Sequence, residues 1–291
     1  MRRHVLPVSA RRGAALLCLA LALTACGSGA GDRDGRGGAF RGAAADRGPL
    51  PLDRYSDGHD GLGLRMSLAE DRLVRACMKR RGVPWSPPPV ARADADPAQG
   101  RYGLTDADDA RRSGYRVPED PARARRNHYF LDELTARQEA ALDGDRNHPG
   151  CQEQAIAVLQ RGVDRQRQQQ QSLLVFRLGA QAMENSARAP GVRAAEKAWS
   201  ACMRERGHRY PSPEAAERST RWNAGTAGVR RHERDVALAD VTCKEKVSLV
   251  RVWARAEAAE QRRLMQGHGP QLAAVLRANA VRRANAERVL S

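Results

Sequence analysis

Six cysteines, at positions 18, 26, 77, 151, 202 and 243, are the side chains of this 291-residue chain best placed to do chemistry. A thiol can pair as a disulfide, bind a metal or accept an acyl group, and its surroundings decide which. No Cys-x-x-Cys occurs. Only His148, three residues before Cys151, stands at a ligand spacing, and the corresponding place before Cys243 holds Asp240. Metal and redox chemistry therefore have little support. Catalysis has no more, for there is no Gly-x-Ser-x-Gly elbow, His-Glu-x-x-His, P-loop or dinucleotide fingerprint. His59, His128, His148, His208, His232 and His268 fall mostly in polar or loop-like contexts. His208 and Tyr210 read as a surface aromatic cluster rather than a general base. The expectation is no catalytic residue, no metal and no cofactor.

The four later cysteines belong to an internal repeat. Asp71-Arg72-Leu73-Val74-Arg75-Ala76-Cys77-Met78-Lys79-Arg80-Arg81-Gly82, with Trp85 three residues on, matches Glu196-Lys197-Ala198-Trp199-Ser200-Ala201-Cys202-Met203-Arg204-Glu205-Arg206-Gly207, with Tyr210 three residues on. Acid, apolar residue, Ala-Cys-Met, Gly and aromatic recur at identical offsets. Each unit has a later cysteine followed two residues on by Glu: Cys151 with Glu153, Cys243 with Glu245. The cysteine separation is 74 residues in the first unit and 41 in the second. The excess matches a Pro/Asp-rich insertion at 86–120 in the first unit.

Elements follow from this pattern. Each unit needs a helix whose apolar face carries Cys-Met, ended by Gly in a left-handed conformation. The aromatic beyond the cap folds back on that face, and the second cysteine sits on a following helix joined by a disulfide. Outside the cytoplasm thiols oxidise, and a chain with 4% aromatic residues gains from such staples. Four cysteines allow three pairings. Cys77–Cys151 with Cys202–Cys243 is preferred because each bridge closes within its own unit. The cross-unit pairings stay open.

The first 25 residues set the compartment. Arg2, Arg3, Arg11 and Arg12 precede an apolar stretch, Ala14 to Leu23, too short to span ~30 Å of hydrocarbon as a helix. That is the layout of a secretory signal. Leu23-Thr24-Ala25-Cys26 resembles the bacterial lipobox. The resemblance implies a cut before Cys26, a diacylglyceryl group on its thiol, and a place on the extracytoplasmic face of the cell membrane. Two acyl chains, or three, hold a protein stably at a bilayer where one would not. Loss of residues 1–25 removes four Arg and no acid, so the net charge falls from +16 to +12. Residues 26–64, rich in Gly, Asp and Arg, read as a lipidated flexible tether that cannot bury enough surface to order itself. No later segment is apolar enough to cross a bilayer. The repeated Cys-Met-x3-Gly pattern, over roughly residues 65–265, also resembles secreted lipoproteins of high-GC Gram-positive bacteria. That resemblance implies a shared helical scaffold and an envelope location, and brings no activity.

The body divides into a first unit at 65–188 and a second at 189–291. Ser67-Leu68-Ala69-Glu70 is a capping box that starts the first helix. From Val229 to Gln266 there is no Pro or Gly, and a helix of that length exceeds roughly 50 Å. Gly267-His268-Gly269-Pro270 breaks it, so the chain ends in a long helical hairpin. Strand alternation is absent; the fold class is all-α. Asp143-Gly144-Asp145-Arg146-Asn147 resembles the start of an EF-hand, but His148 replaces the sixth-position Gly and Gln154 the twelfth-position Glu. A helix-ending turn before Pro149 explains the same residues.

Arg outnumbers Lys 46 to 4, but the basic residues are interleaved with acids, as in Glu133 with Arg137, Glu184 with Arg188 and Glu260 with Arg263. No basic block or nucleic-acid fold signature accompanies the charge, so nucleic acid is not an expected partner. The expected role is non-enzymatic binding or scaffolding in the cell envelope. Its partners would be membrane lipid through the anchor, an envelope protein complex, or an anionic envelope polymer. The rivals are an envelope enzyme with a site assembled from distant residues, and a helical lipoprotein that captures a small ligand.

Overall fold

The computed structural model describes residues 48–90, 100–116 and 120–291. The signal segment, Cys26 and most of the expected tether lie outside these residues. The described chain is all-α and has no strand. Its helices are α1 (Leu62–Arg80), α2 (Ala107–Ser113), α3 (Pro121–His128), α4 (Ala136–Asp143), α5 (Cys151–Leu159), α6 (Arg165–Ala187), α7 (Pro190–Glu205), α8 (Pro213–Glu217), α9 (Ala227–Lys246), α10 (Leu249–Met265) and α11 (Gly269–Leu290).

Each repeat builds the same helix end. Gly82 and Gly207 both take positive φ, 64° and 84°. Beyond them the Val83 amide donates to the Met78 carbonyl at 3.0 Å and the His208 amide to the Met203 carbonyl at 2.9 Å. This is the Schellman arrangement, which satisfies carbonyls that a helix terminus leaves open. Met78 and Met203 are fully buried at equivalent places. Trp85 and Tyr210 fold back as expected, each onto its own core: Trp85 onto Val74, Cys77, Met78, Leu142 and Cys151, Tyr210 onto Trp199, Cys202, Met203 and Cys243. Beyond the bridges the units diverge, because Cys151 is the first residue of α5 whereas Cys243 lies near the end of α9.

The C-terminal 42 residues run as α10, a single 3-10 turn at Gln266–His268, and α11. Helix α6 lies antiparallel to this run. The Trp253 indole donates to the Ser186 hydroxyl at 3.0 Å near the C-terminal end of α6, and Leu178, about two turns earlier, packs on Leu272 further along the run. Helix α11 continues onto the first unit, where Ala286 packs on Ala69 and Leu159, and the Asn285 amide donates to the carbonyls of Leu159 and Arg161. The last helix thus closes the core that the first one opens.

Three expectations need correction. The body begins earlier than residue 65. Leu50 and Leu52 are buried, and α1 starts at Leu62, itself 1% exposed, so Ser67 lies inside the helix rather than capping it. Burial of Leu62 extends the helix past the local start signal. The break in the long C-terminal pattern falls at Ser248, in the left-handed region with φ 53°, and not at Gly267. No Pro or Gly marks it. It is a tertiary corner that seats Leu249 in the Trp199 core while Val250 packs on Tyr102. Finally, residues 100–116 of the insertion form no free excursion. They carry α2, which docks on α9 of the second unit, with Ala107 and Ala110 against Ala237 and Val241.

Candidate functional site

Among the described residues, Glu233, Asp240, Lys244 and Glu257 are charged groups removed from water that gather where residues 100–116 cover the second unit, whereas buried Arg282 pairs with Asp57 of the N-terminal arm. Asp240 and Lys244, one turn apart on α9, are 0% and 2% exposed. The Lys244 Nζ donates to Asp240 Oδ2 at 3.0 Å and to the Leu104 carbonyl at 2.8 Å, and the Trp199 indole donates to Asp240 Oδ1 at 2.9 Å. Burial pushes the Asp240 carboxyl upward, while Lys244 and the Trp199 hydrogen bond pull it down. Tyr115 lies against this pair, and burial, then the Asp240 carboxylate, holds its phenol well above the usual range. Gly103 makes the approach feasible. Its φ is +72°, and a Cβ there would stand 2.9 Å from Glu217 Oε2 and 3.0 Å from Lys244 Nζ.

A second buried carboxylate, Glu257 on α10, joins three parts of the chain. It accepts from Tyr102 Oη at 2.8 Å, from Arg101 through a two-nitrogen contact, and from Gln261 Nε2 at 2.7 Å. The Gln261 carbonyl oxygen in turn accepts from the Leu52 amide at 2.9 Å. Glu233, 2% exposed, accepts from the Tyr115 amide at 3.1 Å, and Gly114 leaves room for its side chain. Buried charges are tolerable only when paired and hydrogen-bonded, and these are. A general acid or base must reach a proton on a substrate. Here the carboxylates are closed over and committed to Lys244, Arg101, Tyr102 and backbone amides. The arrangement is a polar clasp that holds residues 100–116 and the N-terminal arm onto α9 and α10.

The four cysteines are brought together in pairs, Cys77–Cys151 and Cys202–Cys243, with Cα–Cα distances of 5.6 and 5.7 Å and every cysteine at most 3% exposed. Cys26 lies outside the described residues. No family model, curated protein or solved structure matches the chain.

The remaining residues picked out from the sequence have local roles. The Asp145 carboxylate accepts from the amides of Asn147 and His148 at 2.8 Å each, which holds it below the usual carboxylate range, and shapes the turn before Pro149. Among the described residues no group of three or more His, Cys, Asp or Glu is arranged to hold a metal ion. His208 and His232 are in tilted ring contact with centroids 5.9 Å apart, and the Trp222 ring lies 5.9 Å from His232, also tilted. Of the helical ion pairs, Glu184–Arg188 and Glu260–Arg263 form, whereas Arg137 turns instead to the Gly82 carbonyl. Sequence reasoning missed Glu257 and Gln261. They stand in a polar-looking stretch of α10, and their partners at 52, 101 and 102 are more than 150 residues away.

Proposed function

We propose that the chain is an extracytoplasmic lipoprotein, anchored through acyl chains on Cys26, whose helical body serves a non-enzymatic binding or scaffold role in the cell envelope. The observation that carries this reading is the agreement between two independent features. The N-terminal segment has basic region, apolar region and lipobox-like Leu23-Thr24-Ala25-Cys26 in the order that export and lipidation require, and the body holds both of its units with buried disulfides, which persist in oxidising compartments. No helix of the described chain is long and apolar enough to cross a membrane, so the reading assigns attachment to the acyl group. The buried carboxylates are engaged in structural bonds, which favours scaffolding over catalysis.

The test is membrane fractionation of the full chain and of Cys26→Ala. Retention that needs Cys26 and is released by detergent supports the reading, as does an uncut precursor when lipoprotein signal cleavage is blocked. Equal retention of Cys26→Ala rejects it. For the role of the body, capture from detergent-solubilised envelope with the full chain as bait separates an envelope protein partner from an anionic polymer.

A further inference from the structure

Before α1 begins, the N-terminal arm, residues 48–61, is fastened to the last helix. The Asn279 amide donates to the Tyr55 carbonyl at 3.4 Å, and the buried Arg282 grips Asp57 through two nitrogens at 2.6 and 2.8 Å. A two-point guanidinium–carboxylate pair fixes orientation as well as position. Between this pinned arm, the start of α1 and α11 lies an open cavity of about 240 Å³, with Leu62 and Leu276 in its lining. That is smaller than the roughly 300–1,000 Å³ of pockets that hold drug-sized molecules. It suits a small group.

The charged side chains around this cavity are mostly cations. Arg54 of the arm and Arg283 of α11 line it from two separate elements. Arg65, on the first turn of α1, donates to the Asp60 carbonyl, and so does Arg283 Nη1 at 3.2 Å. One carboxylate stands with these three guanidiniums: Asp60 lines the cavity too, with Oδ2 3.8 Å from Arg283 and its side chain 64% exposed. The other acids of the arm face elsewhere, since Asp57 is bonded to Arg282 and Asp53 accepts from the Leu50 amide. Arg54 is exposed, with its guanidinium over the Tyr55 ring at 5.6 Å. That contact is made through the face of the ring and spends none of the N–H donors. Among the described residues no oxygen accepts from Arg54.

We propose that this cavity binds a phosphoryl group, held between the guanidiniums of Arg54 and Arg283, with Arg65 adding its charge. A guanidinium presents a fork of N–H donors that matches phosphoryl oxygens, and two forks from two elements engage different oxygens of one tetrahedral anion. The three arginines outnumber Asp60, so the local field favours an anion. Because Asn279 and Arg282 already fix the arm to α11, the wall that carries Arg54 is ordered before any ligand arrives, which lowers the cost of binding. A lipid headgroup and a soluble phosphate ester offer the same chemistry to these residues. The site is built by the body alone and does not depend on the acyl anchor at Cys26.

The experiment follows thermal unfolding of the full chain by circular dichroism in a phosphate-free non-ionic detergent, at an ionic strength held constant with chloride. A ligand that binds only the folded chain raises the midpoint as its concentration rises. The probes are inorganic phosphate, glycerol phosphate, and phosphatidylglycerol mixed into the micelles, the last compared with diacylglycerol. The unmodified chain is set against Arg54→Gln, the double variant Arg54→Gln, Arg283→Gln, and Arg218→Gln on α8. The expected result is a midpoint that rises in the unmodified chain and in Arg218→Gln, with roughly tenfold more ligand needed in the double variant. A response to inorganic phosphate or glycerol phosphate assigns a soluble ligand, and a response to phosphatidylglycerol alone assigns a headgroup. No rise with any probe, or an equal rise in the unmodified chain and the double variant, overturns the site and leaves the anchor standing, because the anchor is read from membrane retention of Cys26→Ala. Should the double variant fail to fold, Arg54→Gln decides: its exposed side chain gives up no hydrogen bond, and an unchanged response in it overturns the site.

Discussion

Lys244 and Asp240 form an ion pair 3.0 Å long with 2% and 0% of their side chains exposed, and the third party to it is the Leu104 carbonyl, 140 residues away in sequence. The insertion of the first unit is therefore bonded into the interior of the second. The three buried carboxylates Glu233, Asp240 and Glu257 all receive bonds from or through residues 100–116, which makes that stretch part of the fold and not an ornament of one unit.

Breaking the pair from one side leaves a charge or a polar group buried alone. Asp240→Asn and Lys244→Met are each expected to cost about 3–5 kcal/mol, while the double variant costs less than the sum of the two. Chemical denaturation of the four proteins in a double-mutant cycle measures this. Independent additivity would show that the pair is not coupled.

The two glycine caps make a matched pair of predictions. Gly82 and Gly207 sit at φ 64° and 84°, and no atom lies within 4 Å of a Cβ built at either. The penalty for Ala is then conformational alone, roughly 1–2 kcal/mol at each site, and similar in the two units. Thermal unfolding of Gly82→Ala and Gly207→Ala checks it, and a large difference between them would mean the caps are not equivalent.

His208 gives a pH dependence with a definite sign. Burial first, then the neighbouring His232, lower its pKa below the ordinary 6.5. The folded chain thus binds fewer protons here than the unfolded one, so this contribution to stability is complete above about pH 6.5 and is lost as pH falls through the folded value. Denaturation midpoints measured between pH 7.5 and 5, values chosen to span roughly the histidine range, should fall less for His208→Gln than for the unmodified chain.

What the sequence revealed and what it hid follow from range. The repeat, its Schellman ends and the within-unit bridges were legible because Cys77, Met78 and Gly82 sit at fixed short offsets that Cys202, Met203 and Gly207 reproduce, and a helix end is a local structure. The corner at Ser248 was not, since it is imposed by where Leu249 and Val250 must be buried. Nor was the clasp: Glu257 lies among Ala and Arg residues that read as a solvated face, and only Arg101 and Tyr102, 156 and 155 residues away, show that it is buried. The early start of the body at Leu50 and Leu52 was masked by Gly-rich and Asp-rich surroundings that resemble a tether.

Acylation at Cys26 is read out by the mass of the N-terminal peptide of the mature chain, purified from membranes in detergent. The expected peptide begins at Cys26 and carries diacylglyceryl on its thiol. A mature chain that begins at another residue, or a Cys26 peptide with no added lipid mass, would contradict it.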